Sequence, residues 1–311
     1  MAFSRNGSLD ESSIEDVPSA NHNGLDSAIF AYLKDKNEIF DGISVGIAGP
    51  VIGDFAEVTN LGWAITKEGL IKSFAKYGVK KVGLLNDLEA FAWGVSSLNV
   101  DSLQVLKKGK ISTGNKAVVA AGTGLGMAGI LEVGENSYTP FATEGGHTSF
   151  APSKEDSFIL DKLSDKYNGH VSFERIVSGK FGFSNLFYCL KERFPNEREE
   201  FEKVKEDELG PYINKMALEG SALANEIISK FLYYYGVAAS NFALMQKATG
   251  GVYIAGGIAP KLKSFFESTQ AFQKGFLEKG RFSTFLDDIP VYLIENEFLA
   301  LQGSSNYLDH N

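Results

Sequence analysis

The dipeptide Asn86-Asp87 follows the apolar run Leu84-Leu85, where the pattern changes from a strand to a helix. Ligands of open α/β sheets bind at the carboxyl ends of strands, which is where this carboxylate stands. It could accept the proton of an attacking hydroxyl, and phosphoryl transfer needs little else from a protein besides positioning and charge neutralisation. Asp87 is therefore a candidate general base. The alternative is that it only caps the helix that begins there.

A second polar group is predicted around Glu144-Gly145-Gly146-His147. The two glycines let the backbone bend, so that Glu144 and His147 can face one ligand, and a carboxylate beside an imidazole suits a polyol. His147 could instead bind a metal ion, but the chain has 4 histidines and no His-x-His or His-x-x-x-His pair, which argues against a metal site. Glu174 could supply a third carboxylate, or it could only interact with the dipole of a helix.

Two glycine-rich turns follow apolar strands. Gly122-Thr123-Gly124-Leu125-Gly126 comes after the predicted strand Ala117–Ala121, and glycines let backbone amides converge on an anion. This loop lacks the ending of a P-loop, so a Walker-type enzyme is not expected, and an ordinary hairpin is the alternative. Gly256-Gly257 follows the predicted strand Val252–Ala255 and opens a predicted helix, Ile258–Phe266, whose amides could face a bound group. A simple strand-to-helix turn is the alternative there.

The composition excludes several classes of protein. A net charge of −9 argues against a nucleic-acid-binding protein, which would carry a basic patch. Cys189 is the single cysteine, so neither an intramolecular disulfide nor a thiolate-rich zinc site can form, and we expect a reducing, cytoplasmic setting. The segment Met1–Asp10 has no apolar signal core, and no apolar stretch approaches the roughly 20 residues that cross a bilayer. We expect no membrane partner.

Strand and helix patterns alternate along the chain in two groups, which predicts an α/β protein of two lobes with a ligand cleft between them. The small lobe is predicted to comprise residues 1–100 plus 290–311, and the large lobe residues 101–289. The polar segment 100–114 is interpreted as a hinge region.

Several elements of the first group are predicted from local patterns. Leu25–Phe40 and Thr66–Tyr77 have helical spacing, the latter with Thr66 as N-cap and Gly78 just past its end. The run Ile43–Ile47 is a predicted strand, with Phe55–Thr59 as its possible partner. The last helix is predicted at Asn296–Gln302.

The order and spacing of seven short segments resemble the bacterial-type glucokinases, ATP-dependent hexose kinases of the two-lobed actin/hexokinase-like (ribonuclease H-like) fold. The match runs from about Val45 to the C-terminus. The segments are Gly46–Pro50, Thr59–Trp63, Leu85–Leu88, Gly122–Gly126, Glu144–His147, Phe173–Gly179 and Ala255–Ile258. One such segment carries little information, whereas seven in this order are specific. The zinc-binding cysteine cluster of the related ROK sugar kinases is ruled out by the single cysteine.

The resemblance implies roles for individual residues. Asp87 would deprotonate the 6-hydroxyl of the sugar. The ligands of the other sugar hydroxyls would be Asn60, Asn86, Glu144, His147 and Glu174, although Asn60 could only shape a turn. The residues that cradle the phosphates of ATP would be Gly122, Thr123, Gly124 and Gly126, with Gly256 and Gly257 beside the adenosine. The resemblance also implies Mg²⁺ as the cofactor of ATP, a homodimer and a place in glycolysis.

The chain departs from the family at its start. Members begin with a strand that leads into an Asp-x-Gly-Gly-Thr-Asn hairpin, which engages the phosphates and helps to place Mg²⁺. The sequence Met1-Ala2-Phe3-Ser4 looks like the strand after that hairpin. We therefore expect the first strand and the first phosphate loop to be missing, either because the start is misassigned or because the chain is truncated.

The main hypothesis is an enzyme that phosphorylates glucose with ATP. The second hypothesis is a non-catalytic sugar-binding or regulatory protein on the same scaffold. A third is a kinase for another hexose, such as mannose, fructose or an amino sugar, because discrimination between sugars depends on single hydroxyl contacts.

Overall fold

The computed structural model describes residues 1–58, 61–135 and 137–310. The strands, in chain order, are β1 (Ser4–Arg5), β2 (Ser8–Leu9), β3 (Gly42–Ile47), β4 (Val51–Ile52), β5 (Phe55–Val58), β6 (Trp63–Thr66), β7 (Lys81–Asn86), β8 (Gln104–Lys107), β9 (Lys116–Ala121), β10 (Leu125–Gly134), β11 (Ser137–Thr143), β12 (Val252–Ala255) and β13 (Val291–Leu293). The helices are α1 (Leu25–Tyr32), α2 (Lys67–Phe74), α3 (Asp87–Ser96), α4 (Ser157–Lys166), α5 (Gly182–Leu190), α6 (Arg198–Glu202), α7 (Leu209–Leu218), α8 (Ala222–Gln246), α9 (Lys263–Thr269), α10 (Ala271–Leu277), α11 (Ser283–Asp287) and α12 (Leu299–His310). This mixture of strands and helices confirms the predicted α/β class.

The chain divides into two compact units. The first comprises Met1–Leu98, Thr139–Ala142 and Asn296–Asn311, and the second comprises Asn99–Tyr138 and Thr143–Glu295. Residues 290–295, which were predicted for the small lobe, belong to the second unit because β13 pairs with β12 there. The division into two functional lobes stays a prediction.

The first unit contains separate small sheets. β3 and β7 are parallel, in a register from Gly42 opposite Lys81 to Ile47 opposite Asn86. β4, β5 and β6 form an antiparallel sheet. The prediction that Phe55–Thr59 pairs with the strand at Ile43–Ile47 is wrong for the described residues, because β5 pairs with its chain neighbours through short turns instead. The prediction extends to Thr59, which lies outside the described residues.

The local sequence signals predicted the start of α2 correctly but placed the end of α1 too late. Thr66 caps α2, since its Oγ1 accepts a hydrogen bond from the Gly69 amide at 3.0 Å, and Gly78 closes the following turn with φ of 98°. The helix predicted at Leu25–Phe40 ends earlier, at Tyr32. Asp35 has φ of 65°, a left-handed conformation that an α-helix cannot contain.

Helix α12 fixes the position of α3 by close packing at glycines. A Cβ on Gly303 would lie 1.8 Å from the carbonyl oxygen of Ala90, and one on Gly94 would lie 2.4 Å from that of Leu299. α12 extends from Leu299 to His310 and is therefore longer than the predicted Asn296–Gln302. The helix that starts at Asp87 is thus held against a neighbour along its length.

The second unit is built on a six-stranded sheet in the order β11-β10-β9-β12-β13-β8. β9, β12 and β13 are parallel, whereas β10 pairs with β9 and β8 pairs with β13 in the antiparallel sense. The buried helix α8 packs against β9, and its residues Phe231, Leu232, Tyr234 and Tyr235 are fully buried in the core of this unit. The carboxyl ends of β9 and β12 consequently lie side by side at one edge of the sheet.

Candidate active site

Asn86 and Asp87 lie at the junction of β7 and α3 in the first unit. Asn86 is the N-cap of α3, and its Oδ1 accepts a hydrogen bond from the Leu88 amide at 2.9 Å. Oδ1 of Asp87 accepts from the same amide at 2.8 Å, and Asp87 is exposed. Asn86 is thus the N-cap and Asp87 the first residue of α3, and the second carboxylate oxygen of Asp87 has no partner in the described part of the chain.

Glu89 is a residue of this helix start that the prediction missed. Burial raises the pKa of its carboxyl, although a hydrogen bond from the Asn86 backbone acts in the opposite direction. The spacing of Asn86 and Glu89 is that of a capping box, in which the third residue of the helix reaches back towards the N-cap, although the Asn86 side chain bonds the Leu88 amide instead of that of Glu89. The spacing Asn-x-x-Glu was the sequence signal that could have identified it.

The turn Gly145–His147 shows why two glycines stand between Glu144 and His147. A Cβ on Gly146 would lie 1.9 Å from the carbonyl oxygen of Leu125, and one on Gly145 would lie 2.7 Å from the sulfur of Met127. Both glycines are buried against β10, whereas Glu144 and His147 are exposed. The glycines are required for this close approach, and the two polar side chains remain accessible to a ligand.

Glu174 joins these two side chains in one cluster. The imidazole of His147 has its Nε2 3.7 Å from Oε2 of Glu144 and its Nδ1 4.0 Å from Oε1 of Glu174. Both distances are longer than a hydrogen bond, so the three side chains converge without being bonded to one another. The side chain of Glu174 is only 17% exposed, compared with 90% for Glu144. The three predicted sugar ligands of the second unit are therefore brought together.

The loop Gly122–Gly124 forms a tight hairpin between β9 and β10, with a hydrogen bond from the Gly122 amide to the Gly124 carbonyl at 2.9 Å. Gly122, Gly124 and Gly126 all lie outside the positive-φ region, so conformational freedom is not the reason for glycine here. A Cβ on Gly124 would instead lie 2.5 Å from Oε2 of Glu174. In the described part of the chain, the amides of Thr123 and Gly124 have no hydrogen-bond acceptor, which is what an anion site requires.

Other residues of the predicted phosphate loop have internal roles. The Leu125 amide donates a hydrogen bond to Oε2 of Glu174 at 3.1 Å. Gly126 lies within β10, opposite Ala120, and not in the loop itself. The hairpin tip that could receive a phosphate is therefore Gly122 to Gly124.

Gly256 and Gly257 follow β12 at the same edge of the sheet. Gly256 has φ of 86°, and a Cβ there would lie 2.3 Å from the Ala121 carbonyl oxygen. A Cβ on Gly257 would meet no atom within 4 Å, and this residue is exposed, so space is available beside it. The predicted helix at Ile258–Phe266 is wrong in its start, because a turn with Pro260 at its beginning precedes α9, which starts at Lys263.

Tyr235 holds the two strand ends together. Its hydroxyl accepts a hydrogen bond from the Ala121 amide at 3.1 Å and lies within donating distance of the carbonyl oxygens of Val119, at 3.0 Å, and Ala255, at 3.1 Å. Burial raises the pKa of this phenol, which therefore keeps its proton as a donor. No local pattern around Tyr235 predicts this link between the glycine turns, since its partners lie in distant strands.

Further predictions concern Asn60, a metal site and a membrane span. Asn60 lies outside the described residues, so its role as a sugar ligand stays a prediction. Within residues 1–58, 61–135 and 137–310, no group of three or more His, Cys, Asp or Glu side chains is arranged to hold a metal ion. Among the helices of the same residues, none combines the length and the apolar character that a membrane span requires.

Comparisons with known proteins identify the family. A sequence model described as Glucokinase matches residues 1–311. The chain belongs to the glucokinase family. It is 38% identical to the glucokinase of Saccharophagus degradans, over 85% of this chain and 79% of that protein. It is 33% identical to the glucokinase of Neisseria meningitidis, over 95% of this chain and 87% of that protein.

A solved structure supports the fold. The crystal structure of a glucokinase from an Antarctic psychrotroph matches with a TM-score of 0.79 and 26% identity, over 97% of this chain and 93% of that one. The predicted actin/hexokinase-like fold and the predicted enzyme class, an ATP-dependent glucose kinase, are confirmed by these relatives. A non-catalytic relative is not favoured. The expectation of a missing first hairpin stays a prediction.

Proposed function

We propose that this protein transfers the γ-phosphoryl group of ATP to the 6-hydroxyl of glucose, with Asp87 as the general base. The Asp87 carboxylate takes the proton of the hydroxyl, and the hydroxyl oxygen forms a bond to the γ-phosphorus. The bond from that phosphorus to the bridging oxygen breaks, and ADP leaves with the electron pair. The position of Asp87 supports this role, because it is exposed at the carboxyl end of β7 and its helix is capped by a different residue.

The sugar-binding role of the second unit is supported by the cluster of Glu144, His147 and Glu174. Carboxylates accept hydrogen bonds from sugar hydroxyls, and an imidazole can either donate or accept. Glu144 is exposed enough to be recruited by a ligand, whereas Glu174 is fixed by its hydrogen bond from the Leu125 amide. We propose that Asn86 and Asn60 complete the set of sugar ligands.

The single observation that carries the proposal is that Glu174 contacts both the glycine hairpin and His147. One of its oxygens is bonded to the amide that follows the glycine hairpin, and the other faces His147. The groups proposed for the sugar and the loop proposed for the phosphates therefore share one carboxylate. This is the arrangement that a transfer between the two substrates needs, since the reacting oxygen and phosphorus must meet at about 3–3.5 Å.

The nucleotide is proposed to bind at the carboxyl ends of β9 and β12. The residues fit ATP, because the hairpin tip presents the amides of Thr123 and Gly124 and the surface beside Gly257 has no side chain in the way. We propose that Gly122, Thr123 and Gly124, at the tip of the hairpin, surround the phosphates, and that Gly256 and Gly257 lie beside the adenosine. Mg²⁺ would enter with the phosphates of ATP and neutralise the charge that develops on them.

The cellular setting is also a proposal. The lone thiol of Cys189 is buried, and burial raises its pKa to about 12, so it stays protonated and unreactive. This is compatible with a reducing cytoplasm, and the reaction would supply glucose 6-phosphate to glycolysis.

We further propose a homodimer, which light scattering on the purified protein would test.

A substrate panel tests the proposed function. The purified protein is incubated with ATP, Mg²⁺ and either glucose, mannose, fructose or glucosamine, and ADP formation is followed in a coupled assay. We expect the highest kcat/KM with glucose and expect glucose 6-phosphate as the product. A higher kcat/KM with another hexose would contradict the substrate assignment, and no ADP formation with any sugar would contradict the activity.

A further inference from the structure

Lys180 is held next to the glycine hairpin by two backbone hydrogen bonds. The Gly179 amide donates to the Gly122 carbonyl at 2.7 Å, and the Lys180 amide donates to the Thr123 carbonyl at 3.1 Å. These bonds use the carbonyl side of the hairpin and leave the amides of Thr123 and Gly124 without acceptors in the described residues. The backbone of Lys180 is therefore fixed beside the tip of this loop.

Within the part of the chain that the structure describes, the side chain of Lys180 is a cation without an acidic partner. Lys180 is exposed, and among the described residues no carboxylate lies within ion-pair distance of its Nζ. The ammonium instead lies 5.1 Å from the ring of Phe181, and the guanidinium of Arg175 lies 4.2 Å from the same ring. The charged groups of Lys180 and Arg175 thus both lie near the ring of Phe181, beside the hairpin.

A cation at this place could neutralise phosphate charge, which the hairpin itself cannot do with a full positive charge. The segment Gly122–Gly126 contains no lysine or arginine, and backbone amides contribute only partial charges. Phosphoryl transfer depends on neutralising the charge that spreads over the phosphate oxygens. A lysine on a flexible stem serves as a point charge for phosphate without demanding a fixed geometry.

We propose that the Lys180 ammonium binds the polyphosphate of the nucleotide substrate. This role rests on the proposed function and adds a binding residue to it. The backbone bonds of Gly179 and Lys180 bring the side chain to the phosphates, and its exposed stem lets the ammonium reach them. Because the interaction is between full charges near the surface, it weakens as salt concentration rises.

The test compares Lys180→Ala with Lys180→Arg and with the control Lys205→Ala, which removes another exposed lysine of the second unit. Loss of a charge-assisted hydrogen bond should raise the KM for ATP about tenfold in Lys180→Ala, with the KM for glucose changed by less than about twofold. Lys180→Arg should keep most of the affinity for ATP. Lys205→Ala should match the wild type. Raising the salt concentration should increase the KM for ATP less in Lys180→Ala than in the wild type.

Calorimetry separates this inference from the proposed function. ADP and AMP are titrated into wild type and Lys180→Ala in the absence of sugar, so no turnover is needed. We expect the variant to lose affinity for ADP about tenfold and to lose less for AMP, which has a shorter phosphate chain. Equal affinity of both proteins for ADP, or an unchanged KM for ATP in Lys180→Ala, would overturn the role of Lys180. Failure of the wild type to phosphorylate glucose would instead overturn the proposed function.

Discussion

Glu174 accepts a hydrogen bond from the backbone amide of Leu125, with 3.1 Å between its Oε2 and the nitrogen. The same carboxylate approaches the ring of His147 with its other oxygen, at 4.0 Å. A displacement of the 3₁₀ turn Phe173–Arg175 would therefore affect both the proposed sugar ligands and the glycine hairpin. Because the side chain is mostly buried, this link is shielded from solvent and should be stronger than a comparable contact at the surface.

Substitution of Glu144 should weaken sugar binding without affecting the fold. Its side chain is 90% exposed and faces His147 at 3.7 Å, so Glu144→Gln removes a charged acceptor and little packing. A hydrogen bond to a charged group contributes about 1.5–3 kcal/mol, so we expect the Kd for glucose to rise about tenfold or more in calorimetry. Glu155→Gln, at an exposed acid of the same unit, is the control. Unchanged glucose affinity in Glu144→Gln would remove Glu144 from the sugar site.

Gly146, in the turn after Glu144, and Gly257, after β12, should respond differently to alanine. Gly146→Ala places a methyl group 1.9 Å from the Leu125 carbonyl oxygen, and we expect a loss of about 1–3 kcal/mol or more in the free energy of unfolding. Gly257→Ala meets no atom within 4 Å, so its unfolding curve should match that of the wild type. Its KM for ATP should nevertheless rise, because the added methyl group occupies the surface proposed for the adenosine. Urea unfolding checks the first pair of results, and equal stability of the two variants would contradict the described packing.

Tyr235→Phe should loosen the edge of the sheet where both glycine turns begin. The substitution keeps the ring and leaves the buried amide of Ala121 without the phenolic oxygen that it donates to. An unsatisfied buried group costs about 1–3 kcal/mol, which denaturant unfolding can measure. Tyr188→Phe removes a hydroxyl from a ring that is 43% exposed and serves as the control. A Tyr235→Phe protein as stable as this control would show that the link contributes nothing.

Glu89 makes a pH-dependent contribution to stability. Burial raises its pKa in the folded state, so the folded protein holds this proton more tightly than the unfolded chain does. The free energy of unfolding therefore falls as pH rises from the ordinary pKa of a glutamate towards the raised value, and it stays reduced above that. Glu89→Gln keeps the size of the side chain and removes its titration, so it should be more stable than the wild type at pH 7 and lose that advantage in acid. An advantage that grows on acidification would contradict the raised pKa.

Much of the fold could be predicted because its signals are local. Thr66 caps the start of α2, Gly78 ends the turn that follows α2 in a left-handed conformation, and the apolar run at Ala117–Ala121 lies in β9. The strand Gln104–Lys107 could not be found in this way, since it lies in a polar segment interpreted as a hinge and is formed by pairing with β13, far along the chain. Pairing partners of that kind depend on tertiary structure and leave little trace in a short window.

In the candidate site, too, local features could be predicted from the sequence, whereas contacts between distant segments could not. The glycines at Gly145 and Gly146 marked a bend, but their physical reason is close approach to β10, which the sequence cannot reveal. The bond between Glu174 and Leu125, the hydroxyl of Tyr235 and the placement of Lys180 all depend on contacts between distant segments. Residue types and motif order predicted which side chains form the site, whereas the contacts of those side chains could be found only from the structure.

The kinetics of Asp87→Ala test the central claim most directly, namely that Asp87 is the base of a glucose kinase. A general base contributes about 10²–10⁴-fold, so kcat in the coupled assay should fall by that factor while calorimetry shows nearly unchanged binding of glucose. Glu68→Ala, at an exposed acid in the first turn of α2, should retain the wild-type kcat. Turnover by Asp87→Ala within about twofold of the wild type would contradict the account.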